Sequence, residues 1–302
     1  MKESNNVIMY VNESENKLIK DYLQGNKGFS SRLLKFIKRE GKILLNGKKV
    51  NVIQEMKPGD ILTVLMPTEK IDAEPSEYKI EVVYEDSDVL IVNKEANMVT
   101  HPTKGHQENN LANGVAKYFV DHDIDAKIRF VNRLDRDTTG LVIIAKSKFA
   151  HQHIQGQMKD DKVVKIYYAV VEGRTPEIEG KIDLPIGRLT EESIVREITD
   201  TGKNSVTYYK CLKSNGQNSL VELRLETGRT HQIRVHMKEI GNPLAGDSLY
   251  NPEGSNTKIR RQALHSGKVG FFQPRSGQWI EVECRLPDDM LLLVEDLGFN
   301  GV

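Results

Sequence analysis

The stretch from residue 130 to residue 147, FVNRLDRDTTGLVIIAKS, decides the fold of this chain. Its second half, from Leu141 to Ala145, is a short apolar run with β-branched character, which predicts a buried strand. Gly140 precedes the run and marks a tight entry into it, because glycine tolerates backbone conformations that other residues avoid. The stretch therefore predicts a polar loop that leads directly into the core of a sheet.

Two carboxylates, those of Asp135 and Asp137, stand in that loop just before the strand. A charge at the mouth of a buried strand must be solvated, paired or used in chemistry, since an isolated buried charge is too costly to keep. Arg133 and Arg136 are the nearest possible partners in the sequence. This combination is typical of an active-site loop.

Two kinds of enzyme are compatible with the loop. Asp135, Asp137 and Thr139 match the D-x-D-x-T pattern of haloacid-dehalogenase-type phosphatases, in which the first aspartate is the nucleophile and the loop holds magnesium. In that family the pattern follows a strongly apolar strand, usually near the start of the domain. Here it follows Val131 to Leu134 in the middle of the chain, and this position argues against a phosphatase.

The second hypothesis rests on a longer match. Residues 133–140, RLDRDTTG, resemble the R-L-D-x-x-[ST]-[ST]-G loop of the RluA-type RNA pseudouridine synthases. Residues 165–173, KIYYAVVEG, look like the K-x-Y-x-A strand of that family, and residues 225–236, LETGRTHQIRVH, are similar to its T-G-R-x-H-Q-[IL]-R-x-H segment. Gly246-Asp247 and Leu264-His265 match two weaker motifs, and all of these segments follow in the order that the family has.

The resemblance implies an α+β fold, in which a mixed, mainly antiparallel sheet with flanking helices carries a central RNA cleft. It also implies that the chain isomerises uridine to pseudouridine within RNA. In this reaction the bond from the sugar to ring nitrogen 1 breaks, the uracil turns while it is held, and its carbon 5 bonds to the sugar. Because there is no redox change and no group transfer, no cofactor is expected.

The resemblance assigns the catalytic roles to three residues. Asp135 would be the catalytic carboxylate, acting either as a nucleophile or as a base. Arg234 would pair with it, since a guanidinium both orients a carboxylate and holds it ionised. Tyr167 would stack on the extruded uracil and its hydroxyl could relay a proton, although without the family motifs a strand tyrosine at this position would be assigned to core packing.

Three further side chains are expected to contact the RNA or the base. By the resemblance, Arg133 would occupy the space that the extruded base leaves, where a planar cation offsets the cost of unstacking. Residues 229–240 predict a helix in which Arg229 and Ile233 share a face. We expect Ile233 to form part of the pocket wall and Arg229 to contact RNA.

The sequence departs from the family pattern at two places. Asn132 stands where many members carry histidine, and its side chain still offers a hydrogen-bond donor. Residues 94–97, KEAN, occupy the place of the usual K-P-x-G turn. Since asparagine tolerates the left-handed conformation that glycine normally supplies, we expect Asn97 to preserve the turn.

The composition is that of an ordinary folded protein. The chain has 302 residues, long enough for two domains, and 38% of them are hydrophobic. Lysine plus arginine equals aspartate plus glutamate at 43 each, so the net charge does not indicate a nucleic-acid partner. The distribution is more informative, because residues 27–49 carry eight basic side chains and a single acidic one.

This basic stretch lies within a pattern of its own. Lys17 to Leu23 and Ser31 to Glu40 predict two helices, and Ile43 to Gly47 predicts a strand that enters an Asn-Gly hairpin turn. A second turn at Lys57 to Asp60 leads into a strand from Ile61 to Leu65. The pattern resembles the S4-like RNA-binding domain, although a charge run is more commonly a solvated face. The side chains that we expect to contact RNA here are Arg32, Lys35, Lys38, Arg39, Lys48 and Lys49.

We divide the chain into an α/β S4-like RNA-binding domain at residues 1–70, a linker at residues 71–78 and a catalytic domain at residues 79–302. The linker belongs to a stretch from Pro67 to Tyr78 that has two prolines, several charges and few apolar residues. The predicted catalytic strands are Ile80–Tyr84, Val89–Val92, Leu141–Ala145, Lys165–Val171, Val206–Leu212, Leu220–Leu225, Ala263–Phe272 and Trp279–Cys284. The predicted helices are Leu111–Val120, Lys148–Lys159, Thr230–Glu239 and Asp288–Leu297.

No metal site or export signal is predicted. Cys211 and Cys284 form no C-x-x-C pair and are expected to be buried apolar residues. His231 and His236 stand five apart, on different faces of a helix, which argues against a zinc pair and favours structural or RNA contacts. The chain has no signal-peptide or transmembrane run, so we expect a cytoplasmic protein.

The expected partner is structured RNA, above all ribosomal RNA or ribosomal precursor particles, because of the additional N-terminal domain, and we expect a monomer. A different class of function stays open, that of a non-catalytic RNA-binding or ribosome-assembly protein in which binding matters more than modification. The magnesium-dependent phosphatase is the third and weakest hypothesis. The residues leave open which uridines and which RNA would be modified.

Overall fold

The computed structural model describes residues 4–13, 15–101, 108–188, 190–254 and 258–299. The outer ends of the two predicted domains, residues 1 and 302, lie outside these ranges. None of the helices in the described ranges is long and apolar enough to cross a membrane.

The N-terminal part forms a small α/β unit with its own apolar core. Its antiparallel sheet has the strand order β1-β6-β3-β4, and β2 pairs separately with β5. The core contains side chains from both helical segments and from the sheet, such as Leu23, Ile37 and Val64. The elements are β1 (Val7–Val11), β2 (Lys17–Leu18), α1 (Ile19–Asp21), a π-helical turn (Tyr22–Asn26), α2 (Ser31–Glu40), β3 (Lys42–Leu45), β4 (Lys48–Lys49), β5 (Glu55–Met56) and β6 (Ile61–Leu65).

The sequence signals for α2 and for the hairpin are confirmed. The Ser30 side chain accepts a hydrogen bond from the N–H of Leu33, which satisfies one of the free donors at the start of the helix. Asn46 and Gly47 both have positive φ, as a two-residue hairpin turn between β3 and β4 requires. The prediction of a helix over Lys17 to Leu23 is wrong at its start, because the first two residues pair with β5 as a strand.

The rest of the chain is organised around one large sheet. Among the described residues this sheet has ten strands, all antiparallel to their neighbours except for the parallel pair of β10 and β17. The order is β12-β15-β16-β11-β17-β10-β8-β7, with β18 on β17 and β9 on β10. The strands of this part of the chain are β7 (Glu81–Glu85), β8 (Val89–Lys94), β9 (Arg129–Phe130), β10 (Thr139–Ala145), β11 (Val164–Glu172), β12 (Glu179–Asp183), β13 (Ile186–Gly187), β14 (Glu197–Ile198), β15 (Val206–Ser214), β16 (Asn218–Leu225), β17 (Leu264–Phe272) and β18 (Trp279–Glu283). Two of them, β13 and β14, pair with each other in a separate two-stranded sheet.

In the described ranges four helices flank this sheet, which confirms the predicted α+β class with a mixed, mainly antiparallel sheet. They are α3 (Leu111–Asp121), α4 (Lys148–Lys159), α5 (Gln232–Glu239) and α6 (Asp288–Asp296). Every predicted catalytic strand and helix is present within a few residues of its predicted bounds. The short strands β9, β12, β13 and β14 were not predicted, because segments of two to five residues with few apolar positions carry too weak an alternation signal.

The strand β10 is buried on both of its faces, as its apolar run predicted. Val142 and Ile144 pack into the core beneath α3 and α5, whereas Leu141 and Ile143 pack into the core beneath α4. Gly140 has a φ of 110°, and a Cβ there would lie 2.3 Å from the backbone oxygen of Ser266 in the adjacent β17. Glycine is therefore required where the polar loop enters the sheet.

The N-terminal unit is packed directly against α4. Phe149, fully buried at the start of that helix, belongs to the core of the N-terminal unit and lies 5.0 Å from Phe29 between ring centroids. The Gln152 side chain donates to the carbonyl of Gly28 at 2.7 Å and accepts from the N–H of Ser30 at 3.1 Å. These contacts fix the position of α2 relative to α4.

The stretch predicted as a linker contains no helix or strand, and it lies against the part of the chain that forms the large sheet. Ile71, Ala73 and Tyr78 pack against its largest apolar core. The Asp72 carboxylate accepts a hydrogen bond from the N–H of Ile128 at 3.0 Å. The limits of the linker and of the two domains remain predictions.

Replacing Phe149 by alanine should lower the free energy of unfolding by about 3–5 kcal/mol, because it leaves a cavity in the core that joins the two parts. Urea denaturation of the full chain measures this change. The matched control is Phe272→Ala, which removes a phenylalanine that is 42% exposed and should change the stability by no more than about 1 kcal/mol. Equal effects of the two substitutions would show that Phe149 does not join the N-terminal unit to the rest of the chain.

Candidate active site

The loop that carries Asp135, residues 132–138, is anchored to β10 by its first side chain. The Asn132 amide group donates to the carbonyl of Leu141 at 3.1 Å, and its oxygen accepts from the N–H of Ile143 at 2.8 Å. The side chain thus pairs with β10 as the backbone of a neighbouring strand would. This pairing explains how asparagine serves at a position where the resemblance led us to expect histidine.

A buried lysine holds the other end of the same loop. The Lys94 ammonium group donates to the carbonyls of Glu95, Met98 and Arg136 at 2.8–2.9 Å. Burial lowers the pKa of Lys94 to about 7, and the three carbonyls favour its charged form. Asn97 in the following turn has a φ of 59°, which confirms that asparagine takes the left-handed position here.

The Asp135 carboxylate is paired with side chains in and just before α5 and not within its own loop. Its Oδ2 lies 3.4 Å from Nη1 of Arg234 and 3.8 Å from Nε2 of His231. The side chain of Asp135 is 27% exposed, so it remains accessible to a substrate. Arg133, which the sequence suggested as a partner, lies beyond ion-pair distance, and Arg136 pairs with Asp137 at 3.0 Å.

Arg234 is itself held by a second, fully buried carboxylate. Its Nε and Nη2 donate to the two oxygens of Asp247 at 2.7 Å each, in the parallel geometry that fixes a guanidinium plane. Asp247 also accepts hydrogen bonds from the backbone N–H groups of Leu249 and Tyr250. Burial alone would lower the pKa of Arg234, but Asp247 and Asp135 raise it above its ordinary value.

Two more side chains complete this arrangement. The Tyr250 ring lies 4.8 Å from the Arg234 guanidinium, and its hydroxyl lies 2.8 Å from Nδ1 of His231. His231 does not belong to α5 as predicted, because it has a φ of 57° and precedes the first helical residue. Burial lowers the pKa of His231, so its imidazole is neutral at neutral pH and its contact with Asp135 is not an ion pair.

Tyr167 and Ile233 form the apolar side of the site. Both are buried, belong to the largest core and line a narrow cavity of about 60 Å³ together with Asp135 and Arg234. Burial raises the pKa of Tyr167 to about 12, so that its phenol keeps its proton at neutral pH. Tyr167 is therefore both a core residue and a residue of the site.

This cavity adjoins a cleft of about 810 Å³, a volume within the range of ligand sites. Asp135 and Tyr167 line the cleft, and exposed Arg133 and Arg229 lie at its rim. Arg229 is positioned by a hydrogen bond from its Nε to the carbonyl of Asn204 at 3.1 Å. The structure thus brings together every predicted site residue from the catalytic region.

The predicted basic residues of the N-terminal unit lie elsewhere. They are exposed on α2 and β4, and none of them lines the cleft. Of the two roles expected for His236, structural or RNA-contacting, the structure shows the first. Its ring nitrogens form hydrogen bonds with the Thr207 hydroxyl and with the carbonyl of Leu184. In the described ranges no group of three or more His, Cys, Asp or Glu side chains is placed to hold a metal ion.

The sequence did not indicate the roles of Asp247 and Tyr250. The only signal was the weak Gly246-Asp247 motif, which marked the position of Asp247 but did not indicate what its side chain does. Gly246 has a φ of 71°, and a Cβ there would lie 2.3 Å from the carbonyl oxygen of Arg261. This close turn brings Asp247 beneath Arg234, a contact between residues 13 apart that no periodicity reveals.

An accessible carboxylate, a buried arginine that orients it and a cleft rimmed by cations suit an enzyme that acts on an anionic substrate. Comparison with known proteins specifies the family. Residues 88–239 match the model of the RNA pseudouridylate synthases. The chain is 42% identical to an uncharacterised RNA pseudouridine synthase of Bacillus subtilis, over 87% of this chain and 88% of that protein.

Another relative is the ribosomal large subunit pseudouridine synthase D of Neisseria meningitidis, 36% identical over 94% of this chain and 78% of that protein. A solved structure, that of human RNA pseudouridylate synthase domain containing 4, shares the fold with a TM-score of 0.60 at 22% identity, and covers 72% of this chain and 93% of its own. The chain belongs to the RNA pseudouridylate synthase family, whose members are isomerases. The phosphatase hypothesis is therefore wrong.

Replacing Asp247 by asparagine should lower kcat about 100-fold while KM changes little, because Arg234 loses one charged partner and Asp135 is displaced. Single-turnover isomerisation of RNA, measured below the melting temperature of the variant, checks this value. Asp88→Asn is the matched control, since Asp88 is another fully buried carboxylate paired with an arginine, Arg275, remote from the loop. An Asp247→Asn enzyme as active as the Asp88→Asn enzyme would contradict the positioning role of Asp247.

Proposed function

We propose that this enzyme isomerises specific uridines of structured RNA, with Asp135 as its catalytic carboxylate and large-subunit ribosomal RNA as its substrate. The observation that carries the proposal is the environment of Asp135, which is partly open to the cleft while its partner Arg234 is buried and fixed by Asp247. The choice of RNA is supported by the relative named as a ribosomal large subunit pseudouridine synthase.

The reaction needs one group that can attack carbon or remove a proton. The bond between N1 and C1′ breaks, a bond between C5 and C1′ forms, the hydrogen at C5 leaves as a proton, and N1 gains a proton. Atoms and electrons balance without a second substrate. An ionised Asp135 can attack C1′ or remove a proton from the sugar, and both routes use the same carboxylate.

Arg234 prepares this carboxylate for either route. Its Nη1 and the His231 ring both face Oδ2 of Asp135, so we assign the reaction to Oδ1. The guanidinium, which Asp247 fixes, orients the carboxylate at the wall of the cleft. The pair therefore supplies a reactive anion that needs no rearrangement before the substrate binds.

Tyr167 and Ile233 would hold the extruded base. With the uracil held between the phenol ring and the apolar wall, C1′ of the attached ribose would face Asp135. Because the phenol keeps its proton, the Tyr167 hydroxyl would donate a hydrogen bond to the uracil and would not act as a base. Arg133 at the rim would stack in the space left by the base, and Arg229 would contact phosphate.

We further propose that the N-terminal unit is an S4-like RNA-binding domain at residues 1–70 and that residues 79–302 form the catalytic domain. The basic face of α2 and the Asn-Gly hairpin support this assignment. We expect the enzyme to act as a monomer in the cytoplasm, on ribosomal RNA or its precursor particles.

Replacing Asp135 by asparagine should abolish isomerisation and leave RNA affinity within a few-fold of the original, because the amide neither attacks carbon nor accepts a proton. Release of tritium from RNA labelled at uracil C5 measures the reaction, and filter binding measures the affinity. Asp137→Asn is the matched control in the same loop and should keep most of the activity. Turnover by the Asp135→Asn enzyme would remove Asp135 from the catalytic role.

A further inference from the structure

A second concave surface lies between α2 and α4. We name it the interdomain groove, and its volume is about 960 Å³. The wall from α2 consists of Arg32, Lys35, Phe36 and Arg39, which recur at the spacing of one helix face. The three cations on this wall therefore point into one space.

The wall from α4 has the same spacing. Lys148, His151, Gln152 and Gln155 lie on one face of that helix and line the groove opposite α2. The contacts of Phe149 and Gln152 with the N-terminal unit fix the distance between the two helices. The groove is therefore built by both parts of the chain and belongs to neither alone.

The charge of the groove is positive and partly uncompensated. None of the described residues that line it is acidic. Arg129 and Lys148 are paired with Glu69 at 2.7 and 3.2 Å, and Arg39 is paired with Glu40 at 2.7 Å, so these three charges are partly compensated. Arg32 and Lys35 are exposed, and no carboxylate in the described ranges lies within ion-pair distance of either side chain. The surface is therefore suited to an anionic ligand.

The groove is continuous with the active-site cleft. Gln155 lines both of them, and its side chain donates to the carbonyl of Val131 at 2.9 Å, directly before the catalytic loop. Further along α4, Met158 and Lys159 line the cleft that contains Asp135. A chain that leaves the cleft along α4 would enter the groove.

We propose that the interdomain groove binds the phosphate backbone of the RNA segment that flanks the target uridine. The proposal rests on the proposed function and adds to it a defined path for the RNA. It also divides the six basic residues predicted to bind RNA into two sets. Arg32, Lys35 and Arg39 face the groove, whereas Lys38 and Lys49 line a different concavity of the N-terminal unit and Lys48 lines neither.

The first experiment compares two triple variants with equal loss of charge. One carries Arg32→Gln, Lys35→Gln and Arg39→Gln, and the other carries Lys38→Gln, Lys48→Gln and Lys49→Gln. Filter binding of a transcript of large-subunit ribosomal RNA between about 50 and 200 mM salt gives the slope of log affinity against log salt. The groove variant should reduce the slope by about 2, as expected for three lost contacts to single-stranded RNA, and the comparison variant should reduce it less.

The second experiment tests the wall that α4 provides. His151→Glu places a negative charge in the groove, and His151→Gln is its neutral control. The glutamate variant should weaken RNA binding at least about tenfold relative to the glutamine variant, while thermal melting reports that both are folded. Equal binding by these two variants, or equal slopes for the two triple variants, would overturn the proposal.

Failure of this proposal is distinguishable from failure of the proposed function, because binding is measured without turnover. If the groove does not bind RNA, the two triple variants have equal salt slopes of RNA affinity, although the enzyme still forms pseudouridine. If the proposed function is wrong, the transcript gains no pseudouridine although the slopes differ. A groove that binds an acidic protein would leave RNA affinity unchanged in the groove variant, which also contradicts the proposal.

Discussion

The site depends on the bidentate pairing of Arg234 with Asp247 inside the protein. A buried guanidinium is tolerated only where its charge is paired and its donors are satisfied, and Asp247 meets both requirements with two bonds of 2.7 Å. Once Arg234 is fixed, its remaining Nη1 defines where the carboxylate of Asp135 stands. A partly exposed aspartate thus obtains a fixed position without being buried itself, which is what the catalytic role proposed for it requires.

The rest of the fold brings these groups together. Arg234 belongs to α5 and Asp247 to the turn at Gly246, whereas Asp135 lies in the loop before β10. The strand β10 is buried on both faces, and Gly140 at its start lies directly against the backbone of Ser266. The loop therefore cannot shift without disturbing the two apolar cores on either side of β10. Asn132 and Lys94 attach the two ends of the loop to backbone groups, so the position of Asp135 is determined from both sides.

Much of this arrangement could be predicted from the sequence. The apolar run of β10, the signals of α2 and the ordered motifs specified the strands, the main helices and the pairing of Asp135 with Arg234. What the sequence did not reveal are contacts between distant residues with no periodic pattern. Asp247 was only a weak motif, and Tyr250 gave no signal, since a tyrosine in a loop does not indicate that its hydroxyl meets His231. The predicted start of α5 at Thr230 was two residues too early, because the left-handed backbone of His231 interrupts a sequence whose apolar spacing is helical.

The proposed function assigns to Asp135 the formation of pseudouridine in large-subunit ribosomal RNA. The most direct test maps pseudouridine across total cellular RNA by carbodiimide labelling and primer-extension stops, in cells with the intact protein, without it, and with Asp135→Asn. If Asp135 has this role, the same positions in large-subunit ribosomal RNA lose their stops in both altered strains. A map in which the Asp135→Asn strain keeps the stops that the deletion strain loses would contradict it.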